Sequence, residues 1–205
     1  MRRLLTILIS LFAVACHADA EFHEGQQYEV LATPLATQAV DKIEVVELFW
    51  YGCSHCFHFE PQISEWLKKK PADVNFRRLP AVFDPRWVPH ARAYFAAEAL
   101  GVLEKFHSPL FKAIHEEEKK IFDDESLIRF AASLGIDDAA FKDAFTGFAV
   151  DGKVKQAMQY TRGSGITGVP SIIVNGKYRT GAQLAGGQDK VLKVVDFLVD
   201  KERAR

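Results

Sequence analysis

Apolar and polar positions along the chain change period several times, and each change marks a new element. Tyr28 to Leu31 and, more strongly, Ile43 to Trp50 are rich in β-branched and aromatic residues, which predicts strands. From about Cys53 to Lys69 the period becomes helical, with Phe57, Ile63, Trp66 and Leu67 as the apolar side and Pro61 as an expected kink. Val74 to Leu79 alternates again, so the three segments form the strand-helix-strand unit that builds parallel sheet. Between Asp84 and Arg162 only helical periods occur, with stops at Gly101, Gly135 and Gly147 and starts at Asp124 and Asp137, whose carboxylates suit helix N-termini. Ser171 to Val174 and Lys177 to Thr180 then read as two short strands joined by Asn175-Gly176, a dipeptide that tolerates the positive φ of a tight hairpin. A last helix, from about Gln188 to Lys201, carries Val191, Val194, Val195 and Leu198 at helical spacing. The expected architecture is an α/β domain, residues 21–82 and 158–205, interrupted by an all-helical insertion over residues 83–157.

The first twenty residues belong to none of these elements. Arg2 and Arg3 precede an uncharged apolar stretch from Leu4 to Ala15, and Ala18-Asp19-Ala20 supplies small residues for cleavage: the pattern of a secretory leader cut near Ala20. The apolar run is too short for a membrane span of about 20 residues, and no later segment is long and uncharged enough, so the expected mature protein is exported, with no membrane span. A competing reading makes Cys16 a lipidated first residue, but Ala13-Val14-Ala15 lacks the leucine usual three positions before such a cysteine.

Composition narrows the functions. With 48% hydrophobic residues among 205, the chain can build a full core and is not a disordered segment. Its 26 basic and 27 acidic residues give a formal charge of -1; without Arg2, Arg3 and Asp19 the balance becomes 24 against 26. Such a surface has no overall attraction for nucleic acid, and Lys68-Lys69-Lys70 reads as a solvated helix end. Loss of the leader also removes Cys16 and leaves one pair, Cys53 and Cys56.

A C-x-x-C pair is a redox dithiol, half of a zinc site, a haem attachment site or a static bridge. Haem attachment needs histidine after the second cysteine, where Phe57 stands. Tetrahedral zinc needs four ligands, and beyond this pair only scattered histidines such as His58, His90, His107 and His115 remain, so no metal or cofactor is expected. A static bridge stays open, although a loop closed over two residues constrains the unfolded chain little. Position favours chemistry: Cys53 follows a strand at Trp50-Tyr51-Gly52 and begins a helix, where free N–H groups and the helix dipole stabilise a thiolate, the attacking species in disulfide exchange. Residues three apart on a helix also suit a disulfide's geometry. His55 can add charge or a hydrogen bond beside the Cys53 sulfur and favour the reduced form; as an exposed polar residue at a helix start it would do neither.

Two further features lie near this pair. Glu47 interrupts the apolar face of Ile43, Val45 and Phe49, and Arg78 interrupts that of Val74 and Phe76. Charges among apolar neighbours are costly unless paired, so Glu47 and Arg78 are expected together under the site, with Glu47 relaying a proton to Cys56; the bland alternative sends both to solvent at a sheet edge. Gly168-Val169-Pro170 precedes the strand Ser171 to Val174 and, taken alone, is only a turn.

As a set, Phe49-Trp50-Tyr51-Gly52-Cys53-Ser54-His55-Cys56, the helical insertion, Thr167-Gly168-Val169-Pro170 and Val174-Asn175-Gly176-Lys177-Tyr178 resemble the DsbA family over essentially the whole mature chain. The resemblance implies a thioredoxin-like fold with an inserted helical domain, Cys53 as exposed nucleophile, Cys56 as resolving cysteine, and a cis Val169-Pro170 bond facing the pair, where substrate binds. It implies reduced, unfolded exported proteins as substrates in a bacterial periplasm, and a quinone-linked membrane protein of the DsbB type as re-oxidant. Glu47 matches the family's buried acid; Arg78 stands where members can carry lysine. Ser54 departs from the usual proline between the first cysteine and the histidine, which leaves the oxidising strength open. Beside a dithiol oxidase stand an isomerase or reductase, disfavoured because Glu21 to Gln27 offers no dimerisation module and a monomer is expected, and a peptide-binding holdase with a static bridge.

Overall fold

The computed structural model describes residues 22–204; the leader, its cleavage near Ala20 and Cys16 lie outside the described residues. Strands β1 (Glu29–Val30), β2 (Ile43–Phe49), β3 (Val74–Pro80), β4 (Ser171–Val174) and β5 (Tyr178–Gly181) form one mixed sheet in the order β1-β5-β4-β2-β3. Strands β2 and β3 run parallel, as the helical crossover between them requires, and their register sets Glu47 opposite Arg78. The hairpin from β4 to β5 turns on Asn175 and Gly176, with φ of 50° and 63°, both left-handed, and a Cβ on Gly176 would stand 2.1 Å from the Leu35 carbonyl oxygen. Strand β1 is shorter than its sequence suggests, although the Leu31 N–H still donates to the Lys177 carbonyl at 2.7 Å, the next pair in the same register.

Helix α1 (Ser54–Lys69) buries Cys56, Phe59, Ile63 and Trp66, a stripe at spacings of three and four that fits one helix face. Phe57 and Leu67, expected on that side, are only partly buried, and Phe57 instead stacks on His115 with ring centroids 5.2 Å apart. The helix continues through Pro61. Helices α2 (Val88–Ala99), α3 (Leu103–His115), α4 (Asp124–Ser133), α5 (Asp138–Thr146) and α6 (Phe148–Gly163) follow β3. Asp123, one residue before the expected start, caps α4 in a reciprocal pair with Ser126, and Asp137 caps α5 by accepting from the Ala140 N–H at 2.7 Å. Helix α6 runs unbroken through position 157 and delivers the chain to the Val169-Pro170 segment. The short α7 (Ala182–Ala185) and the last helix α8 (Val191–Arg203) complete the chain, with Val191, Val194, Val195 and Leu198 buried.

Two apolar cores result. One packs Phe59, Ile63 and Trp66 of α1 and the valines of α8 against Val45 and Ile172; the other packs the helices after β3 against Val46, Leu48, Phe49 and Tyr51. Strand β2 is thus covered on both faces, which is why Glu44 and Glu47, on opposite faces, are both fully buried. Glu44 is held by Arg77, with Nε 3.1 Å from Oε2. No helix among the described residues is long and apolar enough to cross a membrane.

Candidate active site

The site begins where β2 runs out. The Cys53 N–H donates to the Trp50 carbonyl at 3.0 Å, closing a turn, and Gly52 has no side chain because a Cβ there would meet the Trp50 indole at 2.4 Å. Cys53 is the N-cap of α1, in extended conformation, and its Sγ accepts from the Cys56 N–H at 3.4 Å. This places the sulfur over the unpaired donors of the first helical turn. On its other side the Cys53 thiol donates to the Val169 carbonyl at 3.4 Å, and the Val169-Pro170 peptide is cis.

Both cysteines are free thiols, in unequal surroundings. The Cys56 thiol, then the backbone N–H groups of Cys56 and His55 and the His55 charge, act against partial burial to bring Cys53 down to about 6. Cys56, fully buried, is pushed far up by desolvation, by the neighbouring Cys53 sulfur and by the Glu47 charge. Alkylation by iodoacetamide is therefore expected to rise with pH through a midpoint near 6 and to modify Cys53 alone, as peptide mass analysis of the reduced protein would show; equal labelling of both residues would contradict this asymmetry.

Glu47 lies beneath the pair with no exposed surface, its Oε2 3.2 Å from Arg78 Nε. The bland alternative fails here: β3 is an edge strand, yet the Arg78 side chain is only 16% exposed. Arg78 aims its N–H groups elsewhere, donating from Nε to Glu60 Oε1 at 3.2 Å and from Nη2 to Glu60 Oε2 at 3.0 Å. Among the described residues neither Glu47 oxygen has a hydrogen-bond partner. Desolvation accordingly outweighs Arg78 and pushes the Glu47 carboxyl up to about 8. For Glu60, burial is outweighed by His107 and Arg78, and its carboxyl is held below the usual range.

His107 joins α3 to this chain of charges. Its Nδ1 lies 2.8 Å from the Tyr51 hydroxyl and its Nε2 3.3 Å from Glu60 Oε1. Burial lowers its pKa, so at neutral pH the network assigns the tautomer in which Tyr51 donates to Nδ1 and Nε2–H donates to the carboxylate. His55 is exposed, and its carbonyl accepts from Gln188 Nε2 at 2.9 Å. Beside it a groove of about 780 Å³ is lined by His55, Val169, Pro170, Arg179, Leu184 and Gln188 among others. No cluster of three or more His, Cys, Asp or Glu side chains among the described residues could hold a metal ion.

Residues 44–193 match the model of the DSBA-like thioredoxin domain. The chain is 43% identical over 197 residues to a thiol:disulfide interchange protein DsbA of Pseudomonas aeruginosa, covering 96% of this chain and 93% of that protein, and 37% identical to the DsbA of Burkholderia cepacia over 97% and 96%. The crystal structure of Pseudomonas aeruginosa DsbA superposes with a TM-score of 0.85 at 43% identity, covering 89% of this chain and 95% of that one. That of an oxidoreductase DsbA from Xylella fastidiosa gives 0.82 at 36%, covering 89% and 98%. The chain belongs to the DsbA family. It is a thiol:disulfide oxidoreductase of thioredoxin-like fold.

Within this DsbA-family frame the structure brings Cys53, Cys56, His55, Val169 and Pro170 to one end of the sheet and sets Glu47 with Arg78 below them. Sequence reasoning missed Glu60, His107 and Tyr51. Glu60 carried a usable signal, since it lies four residues after Cys56 and borders the buried stripe of α1. His107 carried none, because its partners lie 47 and 56 positions away.

Proposed function

We propose that Cys53-Ser54-His55-Cys56 oxidises reduced, unfolded exported polypeptides in the periplasm, acting as a soluble monomer. A substrate thiolate attacks Cys53 Sγ of the disulfide; the Cys53–Cys56 bond breaks and its electron pair leaves on Cys56, which takes a proton that Glu47 supplies. A second substrate thiolate then attacks the substrate sulfur of the mixed disulfide, and Cys53 departs as a thiolate. The substrate has lost two electrons and the enzyme holds them as a dithiol, which a quinone-linked membrane protein of the DsbB type re-oxidises. Val169 and Pro170 present backbone to the substrate segment that carries the reacting cysteine.

The observation that carries this reading is the inequality between the two thiols. A Cys53 held at about 6 is ionised at neutral pH, so the reduced form is stabilised and Cys53 is a good leaving group. A thiol lowered from 9.0 to about 6 stabilises the folded reduced state fully above 9.0, and that advantage is lost as pH falls through 6. Equilibration with glutathione buffers at pH 7, followed by acid trapping and thiol counting, tests it. The expected dithiol remains largely reduced in buffers where glutathione is mostly oxidised. A couple more reducing than glutathione would overturn the oxidase reading in favour of a reductase.

A further inference from the structure

The turn that leads into the active site also builds a second cavity. The Trp50 indole stacks on Trp87, with centroids 4.2 Å apart and planes 7° from parallel, and Phe122 stands 6.4 Å away. Together with Pro89 they wall a cleft of about 890 Å³ between that turn and the start of α4. No residue lines both this cleft and the groove at Pro170. Phe122 is 43% exposed, and Phe83, which packs edge-on against Trp87, is 44% exposed. Large aromatic rings clustered in water mark a binding surface more often than a structural one.

The chemistry of the rim selects the ligand. Asp123, Asp124 and Glu125 line it beside Arg86, which Asp84 holds at 2.8 Å, while Arg129 pairs with Glu125. Carboxylates thus outnumber guanidinium groups around stacked indole faces, and a cation gains from both. Behind the wall, His90 is 1% exposed and donates Nε2–H to the Ile121 carbonyl at 2.7 Å, so its Nδ1 is an acceptor. That Nδ1 and the Trp50 Nε1 donor are both buried without a partner among the described residues, on rings 5.9 Å apart. Both atoms belong to the interior behind the cleft, so what the cleft itself offers a ligand is its ring faces and its rim carboxylates.

We propose that this cleft is a subsite for a basic side chain, arginine above lysine, of the polypeptide whose cysteine reacts at Cys53. The proposal rests on the oxidase reading above. The bond from the Cys53 N–H to the Trp50 carbonyl keeps those two residues within about 7 Å of each other. An extended substrate covers that distance and the depth of the cleft in roughly three to five residues. The arginine preferred is therefore about that far from the attacking cysteine. Arginine leads lysine because its flat guanidinium can lie on the indole face.

The test uses reduced two-cysteine peptides identical except for Arg, Gln or Glu four positions from the first cysteine, in both directions, with single-turnover reduction of the oxidised full-length protein followed by quenching. Each rate is divided by the same variant's rate with dithiothreitol. In one of the two directions the Arg peptide is expected to react about 3- to 10-fold faster than the Glu peptide at low salt, with the ratio shrinking in high salt. The D124N/E125Q pair should lose most of that ratio, as should W87L. Equal rates for the three peptides, or a preference intact in both variants, would overturn the subsite while leaving the oxidase reading standing. If no peptide is oxidised, the oxidase reading itself fails. A concentration-dependent dimer abolished by D124N/E125Q would assign the cleft to a second copy of the chain and overturn the proposal as well.

Discussion

Cys53→Ala is expected to lower oxidation of a reduced, unfolded protein by at least about 1000-fold, to the level of buffer oxygen, because the remaining sulfur cannot replace the missing one. Cys56 has no exposed surface and its thiol is pushed far above the neutral range, so it offers neither access nor a thiolate. Cys56→Ala should behave differently. Cys53 keeps its place at the helix N-terminus and its neighbouring N–H groups, so it still exchanges with an activated disulfide, but no internal thiol resolves the product. A mixed disulfide with substrate should therefore accumulate on Cys53, visible as a mass increase that dithiothreitol removes. The two variants together separate the oxidase from the holdase: a peptide-binding protein with a static bridge would retain its effect on refolding yield in both. Catalytic oxidation surviving in Cys53→Ala would sink the assignment of Cys53 as the attacking residue.

Those expectations rest on residues a reader of the chain alone could find, and the reason is local. The C-x-x-C pair, the strand before it and the Asn175-Gly176 turn depend on contacts within a few positions, where spacing determines geometry. Glu47 and Arg78 were also legible, since alternation along two strands exposes a charge on an apolar face, and the parallel register does set them side by side. What alternation does not convey is how much cover each face receives. Glu44 lies on the opposite face from Glu47, beside Val46 and Leu48, and it is the packing of the helices after β3 on that side that leaves it 0% exposed. On α1, Phe57 and Phe59 are equally apolar, and only the packing against α8 and the sheet selects Phe59 for the core while Phe57 lies against His115. Tyr51, Glu60 and His107 come from a turn and two helices, and a contact between α1 and α3 leaves no period in either. The site's lower half was thus hidden by sequence distance rather than by unusual chemistry.

That lower half makes a second prediction with a defined sign. In the native protein the buried Glu47 carboxyl is pushed up to about 8, against 4.5 for a free glutamate, so between those values the folded state holds a proton that the unfolded state has lost. A raised folded value means the stabilising contribution is complete below 4.5 and is lost as pH rises through 8. The limiting slope is about 1.4 kcal/mol per pH unit, and sharing of Arg78 together with relaxation around the charge reduces the accumulated effect to about 2–3 kcal/mol. Glu47→Gln preserves the shape and removes the ionisation, while Arg78 keeps both of its hydrogen bonds to Glu60, so no buried cation is stranded. Urea unfolding of the reduced proteins should therefore find the variant about 2–3 kcal/mol more stable at pH 8.5 and within about 1 kcal/mol of the parent at pH 4.5. The same change should slow reaction with a substrate thiol by about 10- to 100-fold, since an amide cannot hand a proton to the departing Cys56 sulfur. Stability curves that run parallel across this window would show that Glu47 is already ionised in the folded protein, and the proton would then have to reach Cys56 by another route.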